Sequence, residues 1–370
     1  MKKLHHPAKI SVLLPDLRGG GAERVNLDLA HEFVRAGHEV EFVLRQARGE
    51  LLNEARANHC IHDLNVPRVR QLLPKLVSYL RTHKPDALLA AMWPLTVIAP
   101  IAQRLSGHHC KVLVSEHNIL SAQYRNWGRG HRAAMRASMA VGYRFADRRV
   151  GVSSGVVSDI AALSGLSRAA FDVIYNPVPP RSEPSSLTMR NAEALWSCVK
   201  GARIVTVGTM KPMKNHPLLM RAFARLDRPD ARLMFVGDGA ARDALVSLAR
   251  ELGVADRVIL AGFHPDPTPF YKTADLFVLS SDYEGFGNVI VEALICGTPV
   301  VSTDCPSGPR EILEGGRYGQ LVPVNDAASM ALAISDALIA PANRDSLIRR
   351  AADFTPAIAA QRYLELLELI

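Results

Sequence analysis

Short runs of Val, Ile and Leu recur along the chain, each followed by a stretch with the spacing of an amphipathic helix. KISVLL precedes a helical pattern over 22–36, HEVEFVL follows it, and a helical pattern over 68–83 leads to DALLAAM. KVLVSE and DRRVGVS continue the series to about residue 175. A strand that returns parallel to its neighbour needs a crossover of roughly a dozen residues, which a helix supplies. The alternation therefore predicts parallel sheets covered by helices on both faces.

NPVPPRSEPSSL, residues 176–187, interrupts the series with four prolines and three serines and reads as a linker. Beyond it the alternation restarts with ARIVTVG, ARLMFVG, RVILAG, DLFVLS and TPVVST. A chain of 370 residues is long enough for two such α/β domains. The expected division is 1–178 and 190–354. The last helical run, AIAAQRYLELLELI within about 355–370, is free to return to the first domain, and the sequence leaves its place open. In open parallel sheets ligands bind beyond the carboxyl ends of the strands. With two domains, the expected site is the cleft between them.

Hydrophobic residues make up 48% and charged residues 22%, which excludes a disordered chain. The net charge of +8 is uneven, with 26 Lys+Arg against 15 Asp+Glu in residues 1–190 and 18 against 21 in the rest. The first half should therefore meet something anionic: a membrane face, a diphosphate or a nucleic acid. Cysteines 60, 110, 198, 296 and 305 show no CxxC or zinc spacing and read as reduced thiols of a cytoplasmic protein. The apolar run in MKKLHHPAKISVLLPDL is too short for a signal peptide, and ALLAAMWPLTVIAPIAQ, with Pro94 and Pro100, is too short to span a bilayer.

Residues at the strand ends carry the chemistry. RGGGAER places Gly20 and Gly21 at the start of a helix, where the backbone can approach an anion closely. A nicotinamide site fits poorly, because GxGxxG is absent and the second strand ends FVLRQ without an acid for a ribose. Glu116-His117-Asn118 follows KVLVS, and VGTMKPMKNH sets Lys211 and Lys214 in a loop before a helix. Residues 124–149 hold seven arginines against one acid, and Arg125, Arg129, Arg132 and Arg136 fall at the spacing of one helical face. With Trp127, Met135 and Met139 beside it, that face is expected to dock on anionic lipid or a lipid diphosphate. In DYEGFGNVIVEALICG, helical spacing runs from Asn288 to Cys296 and stops at Gly297 and Pro299. Eight residues of helix would separate Glu284 and Glu292 by roughly 12 Å. That spacing suits two contacts on one elongated ligand rather than a close acid/base pair. The amides of Phe286, Gly287 and Asn288 then face negative charge between them. The sequence shows no DxD and no His/Asp metal cluster, so Lys211, Lys214 and the helix N-terminus must stand in for a divalent cation at a diphosphate.

EGFGNVIVE resembles the E-x7-E motif of glycosyltransferase family 4, retaining sugar-nucleotide transferases of GT-B fold. GGGAERV, SEHN, YNPV, KNHPLLMRAFA, VGDG and GTPVVSTDCPSGPREIL are similar to that family in the same order. The resemblance implies two Rossmann-like domains facing each other across a cleft, with the nucleotide sugar mainly on the second and the acceptor on the first. It implies that Glu292 binds the ribose, that Glu284 and the following amides bind donor-sugar hydroxyls, and that Lys214 binds the diphosphate. Gly20 and Gly21 would lie against the phosphates or acceptor, and His117 would contact sugar or phosphate near the reacting centre. A helix ending at Leu260 and the turn Gly262-Phe263 would sit near the base. Where many members have Gly-Arg-Leu, this chain has Gly208-Thr209-Met210, and Lys211 is the candidate substitute.

The expected activity is metal-independent, retaining transfer of a hexose or N-acetylhexosamine from a UDP-sugar, without a cofactor. The expected acceptor is a lipid-linked or lipopolysaccharide glycan at the inner face of the cytoplasmic membrane. A sugar-nucleotide epimerase or hydrolase of the same fold is the alternative. A nucleic-acid-binding protein is disfavoured, because the basic segment lacks interleaved aromatics and the second half is slightly acidic.

Overall fold

The computed structural model describes residues 7–196, 201–339 and 343–370, so Cys198 lies outside the described residues. The chain divides into two compact units, residues 1–179 with 355–370, and residues 180–354.

The first unit is built on a seven-stranded sheet. Its strands are β1 (Lys9–Leu14), β2 (Glu39–Leu44), β3 (Cys60–Asp63), β4 (Ala87–Ala91), β5 (Lys111–Glu116), β6 (Arg148–Gly151) and β7 (Asp172–Val173). Their order is β3-β2-β1-β4-β5-β6-β7, and every pairing is parallel. Alternation along β1 sends Ile10, Val12 and Leu14 to one face, where they join Val25, Leu29 and Phe33 of the helix Gly21–Arg35. The last helix, Pro356–Leu366, packs beside that helix and adds Ala359, Ala360, Tyr363 and Leu364 to the same core. Tyr363 is 2% exposed, and its hydroxyl lies 3.0 Å from Ser115 Oγ at the end of β5. Burying such a ring stabilises the unit by about 1.5–3 kcal/mol, so the C-terminal helix is part of this unit's core.

The second unit carries β8 (Arg203–Val207), β9 (Arg232–Val236), β10 (Val258–Gly262), β11 (Leu276–Leu279), β12 (Val300–Thr303) and β13 (Gln320–Val322). These form an all-parallel sheet in the order β10-β9-β8-β11-β12-β13. Buried Ile204, Phe235, Leu276, Val278 and Val301 make its core with Leu219, Phe223, Leu245 and Ile334 from the covering helices.

Three expectations need correction. Leu260 lies within strand β10, not at the end of a helix, because VILA is a pairing run beside β9. Helix Arg129–Phe145 starts only after Gly128, its N-cap, so Arg125 stands in the turn before it and not on the helical face. Met135 and Met139 are 2% and 0% exposed and cannot reach a lipid. They belong to the buried stripe that meets the helix Leu95–Ser106. Gly142 sets how closely those helices approach, since a Cβ there would stand 2.8 Å from Val97 Cα.

Candidate functional site

The second unit assembles its polar residues just beyond β11. The chain leaves the sheet through Ser280 and Ser281, runs through Asp282 to Gly287, and turns into the helix Asn288–Ile295. Gly287 caps that helix with φ 103°, a left-handed conformation that a side chain strains, and no side chain caps the helix in its place. Gly308 presses on the same loop from the other side. A Cβ at Gly308 would fall 1.7 Å from the Phe286 carbonyl oxygen. The Phe286 ring packs against Phe354 in the core, so only its main chain is available to a ligand.

The loop that bears Lys214 is stitched to this one. Ser280 Oγ donates to the Lys214 carbonyl at 2.8 Å, Asp282 N donates to the Met213 carbonyl at 2.8 Å, and Asn215 Nδ2 donates to Asp282 Oδ1 at 2.7 Å. Asn215 also caps the helix His216–Ala224 by accepting from Leu218 N. These bonds deliver the Lys214 ammonium to Glu284, with Nζ 2.6 Å from Oε1. Ser281 Oγ donates to the same oxygen at 2.6 Å, and Glu284 is only 6% exposed. Lys211 is exposed, and its side chain forms no ion pair among the described residues. His216, buried below the loop, has its pKa pushed down to about 4 by burial, with Lys214 adding to the effect.

Glu292 stands in the second turn of the Asn288–Ile295 helix and is half-buried. Its Oε2 accepts from Tyr271 OH at 2.9 Å. Burial raises its pKa, against the pull of the Tyr271 hydrogen bond and of Arg181. The two glutamates therefore have different partners, a cation and a serine for Glu284 and a phenol for Glu292, and do not share a proton. Phe263, just after β10, is 65% exposed.

The first unit places its own candidates at the carboxyl ends of β1 and β5. Gly20 is the N-cap of the helix Gly21–Arg35, and both glycines are at the surface. His117 follows β5 and is buried, with Ser115 Oγ 3.2 Å from Nε2 and, among the described residues, no partner in hydrogen-bonding geometry at Nδ1. Burial pushes its pKa down to about 4, against the effect of Asn176 beside it, so at neutral pH the ring is uncharged. Next to it Glu116 is fully buried and accepts from Thr96 Oγ1 at 2.6 Å, Tyr143 OH at 2.7 Å and Trp93 N at 3.2 Å. Burial outweighs those bonds and lifts its pKa to about 7. Glu116 thus ties the ends of β4 and β5 together and holds the backbone beside His117.

Arg125, Arg129, Arg132 and Arg136 are all exposed. The last three share one side of their helix, and Arg136 Nη2 also donates to the Ala162 carbonyl at 3.2 Å. Aromatic rings do stand among these arginines: Trp93, Tyr124, Trp127 and His131 form a continuous series of ring contacts. The basic segment therefore does interleave aromatics with its arginines, contrary to the expectation. No helix of the described residues is long and apolar enough to cross a membrane.

Several participants carry no sequence signal, notably Tyr271, Thr96, Tyr143 and Gly308. Asn215 went unread, although an Asn just before a helical run is an N-cap signal, and Glu116 was noted only as the neighbour of His117. Among the described residues, three metal-ligating side chains converge in one place, Glu41, His62 and His83, away from the strand carboxyl ends.

Comparison with known proteins identifies the family and the fold. The profile described as Glycosyl transferases group 1 matches residues 198–354, and that described as Glycosyltransferase Family 4 matches residues 19–182. The chain is 30% identical over 316 residues to a lipopolysaccharide 1,6-galactosyltransferase of Salmonella typhimurium, covering 82% of this chain and 81% of that protein. It is 26% identical over 332 residues to an N-acetylgalactosamine-N,N'-diacetylbacillosaminyl-diphospho-undecaprenol 4-alpha-N-acetylgalactosaminyltransferase of Campylobacter jejuni, covering 87% and 88%. The solved structure of Anabaena HepE in complex with UDP superposes with a TM-score of 0.82 over 98% of this chain and 100% of that one, at 24% identity. That likeness shows the shared fold.

Proposed function

The chain belongs to glycosyltransferase family 4, of GT-B fold, and from that premise we propose that it transfers a hexose or N-acetylhexosamine from a UDP-sugar to a lipid-linked or lipopolysaccharide glycan. The observation that carries the donor assignment is the pair of separately held carboxylates around the start of the Asn288–Ile295 helix, with Lys214 on the nearer one. The names of the Salmonella and Campylobacter relatives support a lipopolysaccharide or diphospho-undecaprenol acceptor, and the UDP bound to HepE supports a uridine donor.

In this reading Glu292, steadied by Tyr271, accepts hydrogen bonds from the ribose hydroxyls, and Phe263 lies near the base. Glu284 and the main chain of Phe286, Gly287 and Asn288 hold the donor sugar. Lys214 turns from Glu284 to the diphosphate, joined by the unpaired Lys211, and with the helix N-terminus these supply the positive charge that a metal would otherwise bring. Gly20 and Gly21 allow the backbone to approach the phosphates or the acceptor. His117, uncharged, hydrogen-bonds and positions the sugar or phosphate instead of shuttling a proton.

Transfer proceeds with retention. The acceptor hydroxyl oxygen bonds to the anomeric carbon on the face that the diphosphate leaves. The anomeric carbon–oxygen bond breaks, and the hydroxyl proton passes to the departing diphosphate oxygen. The exposed Arg125, Arg129, Arg132 and Arg136 hold the enzyme to anionic lipid at the inner face of the cytoplasmic membrane, where a lipid-linked acceptor resides.

A thermal-shift panel of UDP-, GDP- and ADP-sugars tests the donor assignment through linkage. Stabilisation by the UDP series alone is expected. No response to any nucleotide sugar, with tight and salt-sensitive binding of an oligonucleotide, would sink it.

A further inference from the structure

In the first unit, Glu41 stands in β2, His62 in the edge strand β3, and His83 in the last turn of the helix Leu72–His83. One ligand atom from each lies within 4.8 Å of the other two. His62 Nε2 is 2.9 Å from Glu41 Oε2, and the His62 and His83 rings meet edge to face with centroids 4.3 Å apart. Cys60, on the same face of β3 as His62, brings Sγ to 3.5 Å from His62 Nε2. A tetrahedral zinc ion with bonds of about 2.0–2.2 Å holds its nitrogen and oxygen donors about 3.4 Å apart. The observed atoms lie within 4.8 Å of one another, so binding an ion requires the side chains to close in on it.

We propose that Glu41, His62 and His83 bind a zinc ion, with water or Cys60 Sγ at the fourth position. Two imidazoles and one carboxylate suit a borderline transition ion, whereas magnesium and calcium take oxygen ligands. The competing role for these residues is a buried carboxylate satisfied by its neighbours. Ser11 Oγ and Tyr79 OH both donate to Glu41 Oε1, and Lys9 Nζ lies 3.2 Å from Oε2. Two features favour the ion. The hydroxyls occupy one carboxylate oxygen and leave the other to His62 and Lys9, and such hydroxyl partners are the outer-shell arrangement that orients a ligating carboxylate. The His83 ring takes part in ring contacts but in no hydrogen bond among the described residues, so a lone pair is available. Lys9 competes for the site, where its Nζ also donates to the His83 carbonyl at 3.4 Å, and an ion must displace this 25% exposed side chain toward solvent.

Glu41 is in register with Ser11, Ser11 with Leu88 and Leu88 with Val112, five residues before His117. The site is therefore roughly 20 Å from His117. A bound ion would pin the edge strand β3 to a helix end and would take no part in transfer.

The test uses the full chain, stripped with a chelator and titrated with Zn²⁺ by calorimetry and with Co²⁺ by visible absorption. One ion per chain, the strong absorption of tetrahedral Co²⁺ and a raised Tm with Zn²⁺ are expected. His83→Ala should weaken Zn²⁺ binding by more than the roughly 10- to 100-fold that loss of an outer-shell partner costs. Lys9→Met should tighten binding, because it removes the competing cation. His83 ends a helix at a partly exposed position, so this variant remains informative even if His62→Ala folds poorly. Absence of saturable Zn²⁺ uptake, unchanged uptake by His83→Ala, or an equal response to Mg²⁺ would overturn the proposal.

Discussion

Lys214 Nζ lies 2.6 Å from Glu284 Oε1, and the two side chains are only 17% and 8% exposed. Such a pair costs desolvation on both sides, and removing one partner leaves the other charge buried and unpaired. Lys214→Met should therefore destabilise the protein by about 3–5 kcal/mol, and Glu284→Gln in the same chain should recover part of that loss. Denaturant melts of the two single variants and the double variant check this. Additive losses would show that the two charges do not depend on each other.

The two glutamates should fail differently. Glu292→Gln is expected to weaken UDP binding, and Tyr271→Phe to weaken it by about 1 kcal/mol through loss of one hydrogen bond. Glu284→Gln should mainly lower kcat. Calorimetric UDP titrations beside steady-state kinetics separate these effects. Matching defects in the two glutamate variants would contradict the division.

Lys211 and Lys214 are expected to share the diphosphate. Lys211→Ala should lower kcat/KM to a degree comparable with Lys214→Ala, but without the loss of stability, since only Lys214 pairs with Glu284. A kinetically neutral Lys211→Ala variant would leave the arginine usual in the family without a substitute here.

Acid should act on this protein through buried groups of opposite sign. His117 and His216 have folded pKa values near 4, below the free value of 6.5, so their stabilising effect is present above pH 6.5 and lost as pH falls toward 4. The loss is about 3 kcal/mol for each. Glu116, raised to about 7, works the other way, stabilising below pH 4.5 and losing that effect as pH rises through 7. Wild type should therefore lose stability between pH 6.5 and 4.5 less steeply than Glu116→Gln. Urea melts across that window provide the measurement.

The repeat of apolar runs made both parallel sheets readable, because buried strands must be continuously apolar and crossovers must be helical. KISVLL and DLFVLS overlie β1 and β11 closely. The short strands β3 and β7 carry too few residues for a pattern, and neither stood out. Glu284 and Glu292 were legible because their spacing is local. Tyr271 was not, since it reaches Glu292 from another helix through the fold. Helical spacing also overreached: it drew Arg125 onto a helix that Gly128 starts later, and it assigned Met135 and Met139 to the lipid when they belong to the core. The convergence of Glu41, His62 and His83 escaped notice because strand pairing, not sequence proximity, brings them together.

If the arginine side holds the enzyme to lipid, charge reversal at Arg129, Arg132 and Arg136 should abolish sedimentation with anionic vesicles. Each basic residue contributes about 1 kcal/mol near such a surface. Binding by wild type should also fall with added salt. Equal sedimentation of wild type and the triple variant would remove the membrane from the account.

The most direct measurement is analysis of the product formed from a UDP-sugar with and without a lipid-linked glycan acceptor, its anomeric configuration read by NMR. The expected result is a glycosylated acceptor, formed only when both substrates are present, with the anomeric configuration of the donor. Free sugar or an epimer released regardless of acceptor, or a product of inverted configuration, would contradict retaining transfer.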